Sequence, residues 1–240
     1  LHIIGDIGAD GASYKSVEFY GDTIARLSID SRMTIANMSV EMGAKNGFME
    51  PDEKVLEWLK PRARTDFKVI KADPDANYEA ERVYDVSRLE PQVACPHTVD
   101  NVKPISQVAG TRVHQAFLGS CVNGRLEDFA VAARLIKGRR VHPDVRFLVF
   151  PASMNVYREA MAKGYLTALL EAGAIVMNPG CGPCLGAHGG TLAPGEVCIS
   201  SSNRNFRGRM GSRDAEIYLG SPATVTAAAI AGEIVDPREM

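Results

Sequence analysis

Residues 115–150, QAFLGSCVNGRLEDFAVAARLIKGRRVHPDVRFLVF, decide the fold. Gln115–Gly119 is a short apolar run that reads as a buried strand, leading straight into Ser120-Cys121. Arg125–Lys137 then sets Leu126, Phe129, Ala133 and Ile136 on one stripe, the spacing of a helix with a single buried face. Val145–Phe150 is again continuously apolar. A strand, a helix and a strand in this order predict parallel pairing through a right-handed crossover. The rhythm continues with helices over 153–162 and 165–172, strands at Ala174–Met177 and Glu196–Ser200, and an alanine-rich helix over 221–234. The expected class is therefore α/β with mainly parallel sheets. Ligands of such sheets bind beyond the carboxyl ends of the strands. Three strands here run into unusual residues: Cys121, the pair Cys181 and Cys184, and Asn203-Arg204.

The stretch before residue 75 has a different texture and is expected to form a small α/β domain of its own, with residues 76–240 as the second domain. Ser16–Tyr20 is strand-like. Asp30-Ser31 offers an N-cap to a helix over Arg32–Met42, in which Asn37 and Glu41 sit four apart on one face. Pro51-Asp52 opens a second helix through Lys60 that carries the only tryptophan, Trp58. Phe67–Lys71 reads as a short strand. Residues 72–78, ADPDANY, are the best linker in the chain. The opening run Leu1-His2-Ile3-Ile4-Gly5 has no initiator Met and is strand-like, so it reads as a cut rather than a natural start.

Composition is that of a soluble globular protein: 45% hydrophobic, 23% charged, net charge −2. That balance gives no global attraction to nucleic acid or an anionic membrane, and neither is expected as a partner. No apolar run reaches the roughly 18 residues of a membrane span, and no secretory signal is visible. The five cysteines, 95, 121, 181, 184 and 198, are odd in number and unlike a disulfide framework. A reducing cytoplasm fits them better.

The chemistry concentrates in two places. Residues 178–190, NPGCGPCLGAHGG, hold five glycines between Gly180 and Gly190, which lets backbone approach a bulky ligand. The Cys-x-x-Cys spacing lets two thiolates reach one metal centre, and Cys121 waits at another strand end. Cys-Gly-Pro-Cys is also the thioredoxin motif, although there the second cysteine enters a helix that Gly186, Gly189 and Gly190 oppose here. Structural zinc with His188 as fourth ligand is another alternative. Cys95 and Cys198 lack any such setting and read as buried hydrophobes. Three cysteines without a clear fourth suit an iron–sulfur cluster with one iron left open, a Lewis acid for a substrate hydroxyl. Residues 200–213, SSSNRNFRGRMGSR, carry arginines at 204, 207, 209 and 213. Guanidinium grips carboxylate with two parallel hydrogen bonds, so this run reads as an anion pocket. A solvated basic loop is the bland alternative.

Gly119-Ser120-Cys121-x-Asn123-Gly124, Asn178-Pro179-Gly180-Cys181-Gly182-Pro183-Cys184 and Asn203-Arg204-Asn205-Phe206-x-Gly208-Arg209 resemble, in order, three signatures of the aconitase superfamily. Asn37-Met38-x-x-Glu41 resembles a fourth segment. The lack of a fused swivelling domain points to the two-subunit branch, the large subunits of 3-isopropylmalate dehydratase and homoaconitase. The resemblance implies two aconitase-like α/β domains and a 4Fe–4S cluster held by Cys121, Cys181 and Cys184. It implies that Asn203, Arg204 and Arg209 contact cluster or substrate carboxylates, and that Asn37 and Glu41 are catalytic residues of the same pocket. The implied reaction is a hydro-lyase isomerisation, dehydration then rehydration of a hydroxy di- or tricarboxylate. 3-Isopropylmalate of leucine biosynthesis ranks first and homocitrate second. The swivelling domain is expected on a separate small subunit. Family members are longer, with a further domain ahead of this region, so the chain alone is expected to be inactive.

Overall fold

The computed structural model describes residues 1–240. They group into two compact units, Leu1–Gly11 with Glu90–Met240, and Ala12–Leu89. The division expected near residue 75 falls inside the second of these.

The opening residues are helical, not a strand. Helix α1 (His2–Ile7) buries Ile4. A Cβ added to Gly5 would lie 2.7 Å from Cβ of Val102, so the helix rests closely on the chain that follows residue 90. An isolated apolar run cannot distinguish helix from strand, and packing decided it here.

In the second unit, β1 (Ser16–Glu18) is followed by α2 (Asp22–Arg26) and α3 (Ile29–Met38). The cap of α3 is Ser28, whose Oγ accepts from Ser31 N at 3.0 Å. Asp30-Ser31 therefore lies within the first turn, and the helix starts earlier than its sequence suggests. It also stops earlier: Ser39–Met42 is a 3-10 turn, closed by Gly43 in the left-handed region. Next come β2 (Asn46–Phe48), parallel to β1, and α4 (Glu53–Leu59), capped by Asp52. Hydrogen bonding to the buried Arg32 holds the Asp52 carboxyl below its usual range. Phe67–Lys71 is irregular, and Phe67 and Ile70 are exposed. A strand needs a neighbour to pair with, and none is supplied there.

The larger unit carries a seven-stranded sheet. Its first two strands, β3 (Gln92–Ala94) and β4 (Val102–Pro104), form an antiparallel hairpin. Then follow β5 (Gln115–Gly119), the single turn α5 (Ser120–Asn123), α6 (Leu126–Ile136) and β6 (Arg146–Phe150). Helices α7 (Met154–Ala162) and α8 (Tyr165–Glu171) lead to β7 (Ile175–Val176), then β8 (Val197–Ser200), β9 (Glu216–Leu219) and α9 (Pro222–Ala231). The order across the sheet is β4-β3-β9-β8-β5-β6-β7. Pairing is parallel from β9 through β7; β3 alone runs against these strands, and β4, antiparallel to β3, returns to their direction.

This order sends the chain outward from β5 through β6 to β7, then back past β5 to lay down β8 and β9. Right-handed crossovers place connections of opposite travel on opposite faces of a sheet. The outward connections are helical: α6 packs against α7, α8 and α9 over a core of Ala116, Leu118, Phe147, Val149 and Ile199. The returning connections, 177–196 and 201–215, hold only a 3-10 turn at Gly182–Leu185. They cover the alternate side chains. A Cβ on Gly190 would strike Leu148 at 2.2 Å, and one on Gly182 would strike the Phe150 ring at 2.4 Å. Neighbouring strands β5 and β8 thus send their chains to opposite faces, which makes their carboxyl ends the switch point of the sheet.

Candidate functional site

Cys121 sits one residue into the turn that follows β5. That turn is unusual at its first two residues. Gly119 has φ 126 and Ser120, a residue with a Cβ, has φ 71. A non-glycine residue held there costs on the order of 1 kcal/mol or more. Glycine is required on either side: a Cβ at Gly119 or Gly124 would come within 2.0 or 2.6 Å of the Phe150 carbonyl oxygen. The turn is therefore clamped onto the end of β6.

Ser201, directly after β8, ties the two central strand ends together. Its Oγ accepts from Gly119 N at 2.9 Å, and its own N donates to Phe117 O at 2.9 Å. Asn123 Nδ2 donates to Ser201 O at 2.8 Å. The signature asparagine thus joins the cysteine turn to the start of the arginine loop.

Cys181 and Cys184 lie beyond β7, at the same edge of the parallel sheet. Cys184 N donates to Cys181 O at 3.0 Å in a single turn that ends at Gly186, φ 74. Gly182, φ 52, rests on the ring of Phe150, and that ring meets Phe117 edge-on with centroids 5.5 Å apart. Phe150 is thus shared: its carbonyl faces the Cys121 turn and its ring faces the Cys181–Cys184 turn. Cys121 and Cys181 are exposed, Cys184 is buried, and all three thiols are free. No helix follows Cys184, unlike the thioredoxin arrangement, and no disulfide is formed. His188 is exposed. No three His, Cys, Asp or Glu side chains converge tightly enough to hold a single metal ion.

The arginine loop lies beside the cysteine loop. Leu192 N donates to Met210 O at 2.8 Å, Ser212 N to Leu192 O at 3.0 Å, and a Cβ on Gly186 would approach Arg209 O at 3.0 Å. Asn205 is buried and structural: its Nδ2 donates to Cys95 O at 2.8 Å and also lies within reach of Thr98 O and Ile217 O. Asn203 and Arg204 are half-buried; Arg207 is exposed. The guanidinium of Arg209 lies 5.3 Å from the Phe206 ring centroid. Asn37 is exposed on α3, and Glu41 lies half-buried in the 3-10 turn after it, both in the unit Ala12–Leu89.

Six buried side-chain polar atoms lack a hydrogen-bond partner; three belong to the motif segments 119–124 and 203–209, Ser120 Oγ, Asn205 Oδ1 and Arg209 Nε, and a fourth, Arg125 Nε, directly follows the first segment. Each such atom costs about 1–3 kcal/mol unless a guest supplies the missing bond. Their concentration marks a region organised around something polar. Shallow surface concavities lie along Lys60–Phe67 and between the end of α6 and α8.

The remaining cysteines behave differently. Burial pushes the Cys198 thiol up to about 12 and raises that of Cys95, so both stay protonated and are unsuited to bind metal. Residues overlooked in the sequence are Ser120, Arg125, Phe150 and Ser201. Only Ser120 carried a local signal, its place inside Gly-Ser-Cys. Arg125 acts locally, through Cys121 O and Asp128, whereas Phe150 and Ser201 matter through partners far away in the chain.

A model of the aconitase family (aconitate hydratase) matches residues 1–232. Among curated relatives, a probable methanogen homoaconitase large subunit of Methanothermobacter thermautotrophicus is 56% identical over 239 residues, covering 100% of this chain and 56% of the relative. A 3-isopropylmalate dehydratase large subunit of Methanopyrus kandleri is 54% identical over 238 residues, 99% of this chain and 57% of the relative. A 3-isopropylmalate dehydratase large subunit of a Sulfurihydrogenibium species is 51% identical over 240 residues, again 56% of the relative. The chain therefore spans little more than half the length of these relatives.

Proposed function

This chain belongs to the aconitase family, and on that premise we propose that it is the cluster-bearing part of a hydro-lyase large subunit. Cys121, Cys181 and Cys184 are the proposed ligands of a 4Fe–4S cluster. The observation that carries this is the shared Phe150: one residue supports both cysteine turns, and the arginine loop is hydrogen-bonded alongside. The residues present fit such a group. The glycines at 119, 124 and 182 let both cysteine turns close onto Phe150, the three thiols are free, and orphaned polar atoms lie in and beside the same segments. When bound, the cluster supplies a Lewis-acidic iron for a substrate hydroxyl.

The chain's own residues bind and orient. Arg204 and Arg209 are proposed to hold substrate carboxylates by paired hydrogen bonds, with Asn203 beside them. A dicarboxylate so gripped loses its freedom to rotate, which brings its hydroxyl into one position. The half-buried setting of these arginines strengthens that grip relative to open solvent. Asn37 and Glu41, the other residues of the family pattern, are proposed as catalytic residues.

3-Isopropylmalate is the proposed substrate, because two of the three relatives above are named for that dehydratase. Homocitrate is the second reading, favoured by the homoaconitase name of the other. The relatives are named large subunits, which supports a small-subunit partner. No helix is long and apolar enough to cross a membrane, and we place the enzyme in the cytoplasm. The deciding experiment is anaerobic reconstitution of the intact large subunit with iron and sulfide, then assay with its small subunit on both acids. Cluster absorbance with turnover of 3-isopropylmalate is expected. Tight stoichiometric zinc without iron uptake would overturn the proposal.

A further inference from the structure

We propose that Ser120 is a positioning residue, whose hydroxyl donates a hydrogen bond to a sulfur of the cluster held by the neighbouring Cys121. The inference rests on the cluster assignment above and goes beyond it. Ser120 is only 3% exposed, and its Oγ has no hydrogen-bond partner. Its backbone is held at φ 71, a conformation that glycine adopts freely and that a residue with a Cβ adopts under strain. Glycines already flank this turn at 119 and 124, so glycine chemistry is at hand in the same segment.

A serine at this place combines two unfavourable features that a glycine would avoid together. The hydroxyl is the one thing that serine adds. It lies in the residue next to an exposed cysteine, at the switch point between β5 and β8, and nothing in its own chain satisfies it. Thiolate and sulfide sulfurs accept hydrogen bonds, and such bonds raise the reduction potential of a cluster by stabilising the added electron. Ser201 differs from Ser120 in that its Oγ already has a protein partner, accepting from Gly119 N.

The test uses the intact large subunit with its small subunit, reconstituted anaerobically as wild type, Ser120→Ala and Ser120→Gly. Both variants are expected to take up iron and sulfide in the wild-type ratio. Both should show a lower midpoint potential, an altered spectrum of the reduced cluster, and cluster loss to a chelator about five- to ten-fold faster, the scale of one hydrogen bond. The Gly variant should also melt higher than the Ala variant without cluster, because it relieves the strained φ. Unchanged potential and chelator kinetics in both variants would overturn the inference, and so would a change confined to KM, which would assign the hydroxyl to substrate. If the wild type itself takes up no cluster, the failure belongs to the functional assignment. If either variant fails to fold, the other decides.

Discussion

On one face of the seven-stranded sheet, Ala116, Leu118, Phe147, Val149 and Ile199 meet α6, α7, α8 and α9 in a continuous apolar core. On the other, Phe117, Leu148 and Phe150 are just as buried, yet what covers them is loop, rich in glycine and arginine. The helical face satisfies its backbone internally and has no bonding left to offer. The loop face holds free thiols, Ser120 in a left-handed conformation, and unpartnered polar atoms on Ser120, Arg125, Asn205 and Arg209. Equal burial therefore does not mean equal purpose. Apolar packing stabilises the fold on one side. On the other, the same strands support a surface left incomplete for a ligand.

The sharpest way to break this comparison is to exchange effects between the faces. Cys121→Ser, Cys181→Ser and Cys184→Ser should each abolish stable cluster binding, while chemical denaturation of the cluster-free protein changes by less than about 1 kcal/mol. Cys95→Ser and Cys198→Ser should retain the cluster; five cysteines behaving alike would end the assignment. Phe129→Ala, on the helical face, should do the converse. It opens a cavity under α6 and should cost about 3–5 kcal/mol in the same denaturation, with cluster spectra unchanged in the fraction that folds.

Gly182→Ala falls between the two. Its Cβ would collide with the Phe150 ring, and φ 52 disfavours any side chain. A loss of about 1–3 kcal/mol is expected, together with weakened cluster retention, read by iron content after gel filtration. Retention at wild-type level would show that Phe150 does not set the cysteine turn.

The smallest effect concerns pH at the opposite end of the strands. Arg146 pairs with Glu196 there, and the guanidinium holds the Glu196 carboxyl below its ordinary 4.5. A depressed carboxyl stabilises the fold above its unfolded value and loses that contribution as pH falls through its folded value. Melting of Glu196→Gln should thus match wild type well below pH 4.5 and fall behind above it, by no more than about 1 kcal/mol for a partly exposed pair. A constant difference at all pH values would assign the effect to packing.

What the sequence determined by itself were the features with local physical causes. The stripe Leu126, Phe129, Ala133, Ile136 makes α6, the apolar runs make β5, β6 and β8, and Asp52 caps α4 through Val55 N. The order of the motifs and the types of their residues were equally legible, because a thiol or guanidinium keeps its chemistry wherever it is placed. Cap geometry was less so. Ser28, Asp30 and Ser31 are all competent N-caps, and only the backbone shows that Ser28 takes the position. Strands β3, β4 and β9 went unseen, since their pairing with one another and with β8, not a pattern of their own, makes them strands. Tertiary structure alone decided that the chain returns past β5 before forming β8. Pairing of Phe117 with Ser200 spans more than 80 residues, and no local preference encodes a contact at that separation. That reversal puts the cysteine and arginine loops on one face and brings Ser201 against Gly119. It leaves the Ser120 hydroxyl buried with no partner of its own.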